Sequence, residues 1–188
     1  MATDDQFTQG TVNEALSQGG NMARFSLLAA GLQPNQHQDA GALTSPLEYN
    51  GGLYGRRISR LQKGDLLFRF SDSKWRSLEE QFAGSWWFDR ECLATIRWAA
   101  RMENCDFTAS ARSHLGVLYE WGDMRNLVGG LLNADFWCFK GLTGGVEGAR
   151  QKMSGPLRTD VMQIFVPGGL SLNNFSQPHD NVLTSGIV

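Results

Sequence analysis

Arg69 stands in Leu66-Leu67-Phe68-Arg69-Phe70-Ser71, a run that is otherwise apolar up to Phe70. Such a run reads as a buried strand, and a strand interior is costly for a guanidinium unless an anion or a carboxylate meets it. The planar fork suits a phosphate, which it can grip at two points. Asp65, Asp72 and Glu120 are the acids that could instead hold Arg69 in a structural ion pair. Next comes Ala83-Gly84-Ser85-Trp86-Trp87-Phe88, a small-residue turn feeding an aromatic strand. Ser85 supplies a hydroxyl there. Trp86 and Trp87 point to opposite sides of the strand. One of them fills the core, and the other is free to stack on a flat ring.

Other groups able to do chemistry are fewer. Glu120 and Asp123 lie in Tyr119-Glu120-Trp121-Gly122-Asp123. A glutamate at a strand end beside tryptophan can have a raised pKa and act as an acid or base, or it can be a solvated loop residue. Phe139-Lys140-Gly141-Leu142-Thr143-Gly144-Gly145 reads either as a glycine-rich loop able to close over a ligand or as an ordinary connection. His37, His114 and His179 are too scattered to build a nucleophilic triad. Cys92, Cys105 and Cys138 are an odd number at wide spacings with no CxxC. That pattern predicts no metal site and no disulfide framework, and it fits a reducing compartment. Cys138, between Trp137 and Phe139, reads as buried and inert.

These residues need elements to position them. The pattern predicts strands over Leu66–Phe70, Ser85–Phe88, Leu115–Glu120, Phe136–Phe139 and Val161–Val166, the last stopped by Pro167-Gly168-Gly169. Helices are predicted over Ser73–Phe82, Asp89–Met102 and Val146–Met153, with a helical turn over Met124–Leu132. In the helix after Asp89, an N-cap residue, Leu93, Ile96, Trp98, Ala99 and Ala100 form the apolar face. The fold class is α+β with a mainly antiparallel, two-sheet core and flanking helices.

At 188 residues, with 41% hydrophobic and 19% charged residues, the chain can bury one sizeable core. Residues 1–50 are rich in Gln, Asn, Gly and Ser and predict a flexible polar segment, with one helical piece at Met22–Ala30. The domain is placed at 51–170 and a flexible tail at 171–188. Net charge is −2, but it is uneven. Gly55 to Arg76 holds seven Lys/Arg against two Asp, whereas Met1 to Asn50 holds one Arg against five acids. The acidic total disfavours a nucleic-acid partner, although Arg56-Arg57-Ile58-Ser59-Arg60 could meet a polyanion. No apolar run is long enough for a membrane helix, and no secretory signal opens the chain.

The order of the motifs resembles the mono-ADP-ribosyltransferases, bacterial toxins and effectors among them. Asp65-Leu66-Leu67-Phe68-Arg69-Phe70-Ser71 is similar to that family's first strand, whose arginine contacts a phosphate or ribose of NAD. Gly84-Ser85-Trp86-Trp87-Phe88-Asp89 is similar to its serine-bearing strand and the start of its long helix. Asp160-Val161-Met162-Gln163-Ile164-Phe165-Val166-Pro167 is similar to its last strand, which carries a catalytic Glu. The resemblance implies an ADP-ribosyltransferase-like domain with NAD as substrate and no metal. Arg69, Ser85, Trp86 and Trp87 would bind the dinucleotide. Gln163 would stand at the catalytic position, with Glu120 as the fallback acid. It also implies an unidentified protein target, reached in the cytoplasm by a secreted effector without a cleavable signal peptide. Two departures matter. Trp87 replaces the second Ser/Thr of the family's strand, and Gln163 replaces the glutamate. An amide cannot stabilise positive charge as a carboxylate does. Binding of NAD or ADP-ribose is therefore expected more firmly than transfer of ADP-ribose. The rival expectations are a non-enzymatic protein-interaction module on the same fold, and a viral or other assembly protein with disordered arms.

Overall fold

In the computed structural model, residues 52–117, 122–143 and 161–180 are described. Expectations for residues 1–50, for Glu120 and for Val146–Met153 fall outside them.

Six antiparallel strands form one sheet. They are β1 (Leu53–Leu61), β2 (Leu66–Ser71), β3 (Gly84–Asp89), β4 (Asn126–Leu131), β5 (Phe136–Thr143) and β6 (Met162–Leu170). Their order across the sheet is β1-β5-β6-β3-β2-β4. The α+β class holds, but the core is built on one sheet rather than two. The tie between its halves is narrow. β2 and β3 pair only at Leu67↔Asp89 and Phe68↔Phe88. β2 pairs with β4 along its whole length, and the start of β3 pairs with β6. From Arg69 onward β2 therefore parts from β3, and the sheet opens into a seam.

Alternation along β2 sends Leu67 to one core and Phe68 to the other. The first core gathers Trp87, Ile164, Val166 and Leu170 beneath the short helix α1 (Leu78–Phe82). Ser77 and Glu80 close a capping box that starts this helix at Leu78, five residues later than the predicted Ser73. The second core lies under α2 (Arg90–Met102) and α3 (Phe107–Leu115). Asp89 caps α2 by accepting from the Cys92 amide at 3.0 Å, as its position before the apolar period predicts. Trp98, assigned to the apolar face, is instead 63% exposed. It lies one side of the buried stripe of Cys92, Leu93, Ile96, Ala99 and Ala100.

Several predicted elements are corrected. Leu115 ends a helix rather than starting a strand, because Asp106 caps α3 and Gly116 closes it in a left-handed conformation. Residues 126–131 are a strand rather than a helical turn. Gly129 and Gly130 are poor helix formers, and both lie under rings: a Cβ on Gly129 would stand 2.5 Å from Phe68. The arginine-rich run at residues 56–60, for which no element was predicted, lies in the edge strand β1 with most of its residues exposed. Pro167-Gly168-Gly169 does not stop β6 but bulges within it. Gly84 faces Leu170 while Trp86 faces Phe165, so two steps on β3 span five on β6.

The tail is also corrected. Residues 172–174 form a 3-10 turn, and Phe175 packs its ring 4.9 Å from Phe82 and 5.0 Å from Trp87. His179 bridges to Gly129. The domain thus extends past 170 to at least Asp180. Among the described residues, no helix is long and apolar enough to cross a membrane.

Candidate functional site

The seam between β2 and β3 encloses a cavity of about 260 Å³. Arg69, Ser71, Trp86, Trp87 and Gln163 all line it, together with Trp75 from the segment after β2. Three separate sequence motifs therefore meet at one place. Each wall follows from local structure.

Arg69 is the first β2 residue past the paired stretch. Its side chain crosses the seam and donates through Nη1 to the Ala83 carbonyl. Its guanidinium carbon lies 5.5 Å from the centre of the Trp75 ring and 5.7 Å from that of Trp87. Two indole faces thus stabilise the cation. Gly84 makes room for it: a Cβ there would sit 1.7 Å from Nη1. Gly84 also has φ 156, in the region that favours glycine. Arg69 Nε is shielded from solvent and has no hydrogen-bond partner. Burial lowers its pKa well below the usual arginine range, to about 10, and no carboxylate of the described residues lies against it.

The two described acids that could have neutralised Arg69 are engaged elsewhere. Asp65 accepts from the Gln62 amide at 2.9 Å. Asp72 borders the cavity but accepts from the Lys74 amide at 3.0 Å and meets Lys74 Nζ at 3.4 Å. Asp123 fastens the neighbouring loop by accepting from the Ser73 amide at 2.9 Å. These local bonds favour its ionised form strongly enough to lower its pKa although desolvation opposes them. Glu120 lies outside the described residues.

Gln163 stands on the opposite wall. Met162, Ile164 and Val166 alternate with Val161, Gln163 and Phe165, and Ile164 and Val166 enter the first core. Gln163 is not free, however. It is buried, and its Nε2 donates to the Leu115 carbonyl at the end of α3, at 3.2 Å. Its amide thus closes a helix terminus. Of the two tryptophans, Trp87 is the core residue, 1% exposed, with its indole N–H donating to the Gly84 carbonyl at 2.8 Å. Trp86 is half-buried against Phe165, with ring centres 4.9 Å apart. Ser85 is half-buried at the irregular pairing of β3 with β6 and is not among the lining residues.

Sequence reasoning missed Ser71 and Trp75. Ser71 was legible in principle, since it follows Arg69 by two and must share its face. Trp75 was not, because it lies outside any regular element. Among the described residues no three His, Cys, Asp or Glu side chains gather as metal ligands. Cys138 is buried in the first core, and burial pushes its thiol up to about 12. It is therefore an inert group. The cavity can hold an oxyanion on Arg69 and a flat ring on Trp86.

No protein-family model and no curated protein matches the chain. Among solved structures, it is similar to Rhs1-CT in complex with its cognate immunity protein RhsI1. The identity is 14%, the match covers 71% of this chain and 86% of that one, and the TM-score is 0.44. A likeness of this size assigns neither fold family nor function.

Proposed function

We propose that the seam cavity binds a phosphate-bearing ligand with a flat ring, of the NAD or ADP-ribose kind. The observation that carries this reading is the uncompensated guanidinium of Arg69 on the cavity wall. A half-buried guanidinium with a shielded Nε and no carboxylate against it among the described residues is what a phosphate site looks like when no ligand neutralises it. In this reading Arg69 grips the phosphate and Trp86 stacks on the ring. Trp75 and Trp87 hold the guanidinium in place.

The cavity, about 260 Å³, lies just under the usual range for sites that enclose a drug-sized ligand. It suits one end of a dinucleotide, with the remainder outside. Binding is favoured over ADP-ribose transfer, because Gln163 carries no charge and is occupied by Leu115. The test is titration with NAD and ADP-ribose by calorimetry, with NAD turnover followed in parallel. Saturable binding with little or no turnover supports this reading. Robust turnover makes the protein a transferase with a different catalytic acid, and no binding of either compound removes the reading altogether.

A second reading, a protein-interaction module, is favoured by β1. This strand is at the sheet edge, and Tyr54 and Ile58 are exposed on it beside Arg57. An exposed edge with apolar side chains can accept a strand from another protein. Strand addition by a partner would leave nucleotide titrations silent and protect β1 amides from hydrogen exchange.

A further inference from the structure

Ser71 is 2% exposed, lines the same cavity as Arg69, and its hydroxyl has no hydrogen-bond partner. Arg69 Nε shares that condition. Side chains two apart on a strand point the same way, so the two unpartnered groups lie side by side on the β2 wall. Buried polar groups are nearly always satisfied. Two orphans on one wall of one cavity call for a common explanation, and a ligand that accepts from both supplies it.

We propose that Ser71 is the second anchor of an oxyanion subsite, donating its hydroxyl to a phosphate oxygen whose neighbour is gripped by Arg69. This rests on the reading that the cavity takes a phosphate-bearing ligand. The geometry is selective in two ways. A guanidinium N–H and a hydroxyl are both donors toward the site, so an acceptor-rich group is required. Both are already desolvated, so the ligand displaces little water to reach them, and each bond is charge-assisted by the anion. Among the described residues the acid bordering the cavity is Asp72, and it has Lys74 beside it at 3.4 Å, which offsets its repulsion of an anion. The ligand class is a phosphate ester or pyrophosphate, either free or as part of a nucleotide.

The test uses the full 188-residue chain. Inorganic pyrophosphate and ADP-ribose are titrated by calorimetry into the wild type, Ser71→Ala, Ser71→Thr and Arg69→Met. Ser71→Ala should weaken both ligands about tenfold, equivalent to about 1.4 kcal/mol. Ser71→Thr, which keeps the hydroxyl, should restore most of the affinity. The melting temperature of unliganded Ser71→Ala should be unchanged or higher, since the lost hydroxyl had no partner. Weakening of ADP-ribose alone would mark a nucleotide site that uses the serine. Weakening of both marks a general pyrophosphate site. If Ser71→Ala binds like the wild type while Arg69→Met does not, the serine anchor is wrong and the anion reading stands. A marked fall in the melting temperature of unliganded Ser71→Ala would expose a structural partner and overturn the proposal. If the wild type binds neither compound, both readings fail together.

Discussion

The two polar walls of the seam cavity differ in what they have left to give. On the β2 wall, Arg69 Nε and Ser71 Oγ are buried and unpartnered. On the β6 wall, Gln163 is equally hidden, but its amide is bonded to the Leu115 carbonyl. Both walls look polar in the sequence, but the shielded, unpartnered donors are on the β2 wall, whereas the Gln163 amide nitrogen already has a partner. An unused buried donor costs stability on the order of 1–3 kcal/mol, and a bond already made contributes about 1 kcal/mol. The β2 wall therefore lowers the stability of the empty protein, and the β6 wall raises it. A ligand reverses the balance on the β2 side alone.

The sharpest way to break this comparison is Arg69→Met. Phosphate-ligand affinity should fall by about 1.5–3 kcal/mol, the value of a charge-assisted bond. Thermal stability of the empty protein should stay level or rise, because a half-buried charge with a shielded, unpartnered Nε is replaced by an apolar chain of similar length. Arg69→Lys should rescue little, since a point charge lacks the planar fork. Calorimetry and thermal melts on the same samples decide. A mutant that loses both binding and several kcal/mol of stability would make Arg69 a structural strut across the seam.

Gln163→Glu probes the other wall. A carboxylate there faces the Leu115 carbonyl and leaves it without a donor, at a cost of about 1–3 kcal/mol near neutral pH. Burial and the facing carbonyl raise the folded-state pKa of the new carboxyl above its unfolded value. Its protonated form can donate to Leu115. Stability should then be near wild type in acid and be lost as pH rises through that raised pKa. Urea melts across this range are the check. NAD turnover should not increase, because the group is held at the helix end. A faster, stable Gln163→Glu would mean that residue 163 faces the ligand after all.

Gly84→Ala should have a smaller effect. Its Cβ would collide with Arg69 Nη1, and its φ of 156 is strained for any other residue. A stability loss of about 1 kcal/mol or a little more is expected. Ligand affinity should fall several-fold as the guanidinium is displaced. Unaltered affinity would show that the guanidinium position is not what the site depends on. A last test is pH dependence. Because burial lowers Arg69 from its ordinary value to about 10, the unfolded chain binds more protons between the two. Stability therefore gains from this group as pH rises through that window. Anion affinity should move oppositely and weaken as pH passes about 10, which titrations across that range can measure.

The comparison also explains what was legible in advance. Arg69 stood out because its neighbours are apolar, and a solitary cation in a strand is a long-range signal carried by local sequence. Gln163 was placed on a strand, as found, because the apolar pattern of Val161–Val166 is a local property. Its bond to Leu115 was not legible, because the helix end that supplies the carbonyl is 48 residues away. The reading of residues 115–120 as a strand also hid that helix end. β4 was missed for a related reason. Its glycines look like turn residues until Phe68 and Phe175 are packed on them. The seam itself is invisible in sequence. It arises where β2 pairs fully with β4 while β3 turns to β6, and strand pairing of that kind is tertiary information. Phe175 read as tail for the same reason, since the apolar surface it covers comes from Phe82 and Trp87.

The central claim is that the β2 wall holds unused capacity for a phosphate ligand. Trp75, Trp86 and Trp87 all line the cavity, so intrinsic tryptophan fluorescence reports its occupancy. Titration of the full chain with ADP-ribose should give a saturable fluorescence change in the wild type, and in Arg69→Met the same change only at ligand concentrations roughly ten- to a hundredfold higher, with both proteins equally stable beforehand. An equal change in both at the same concentrations, or none in the wild type, would contradict the account.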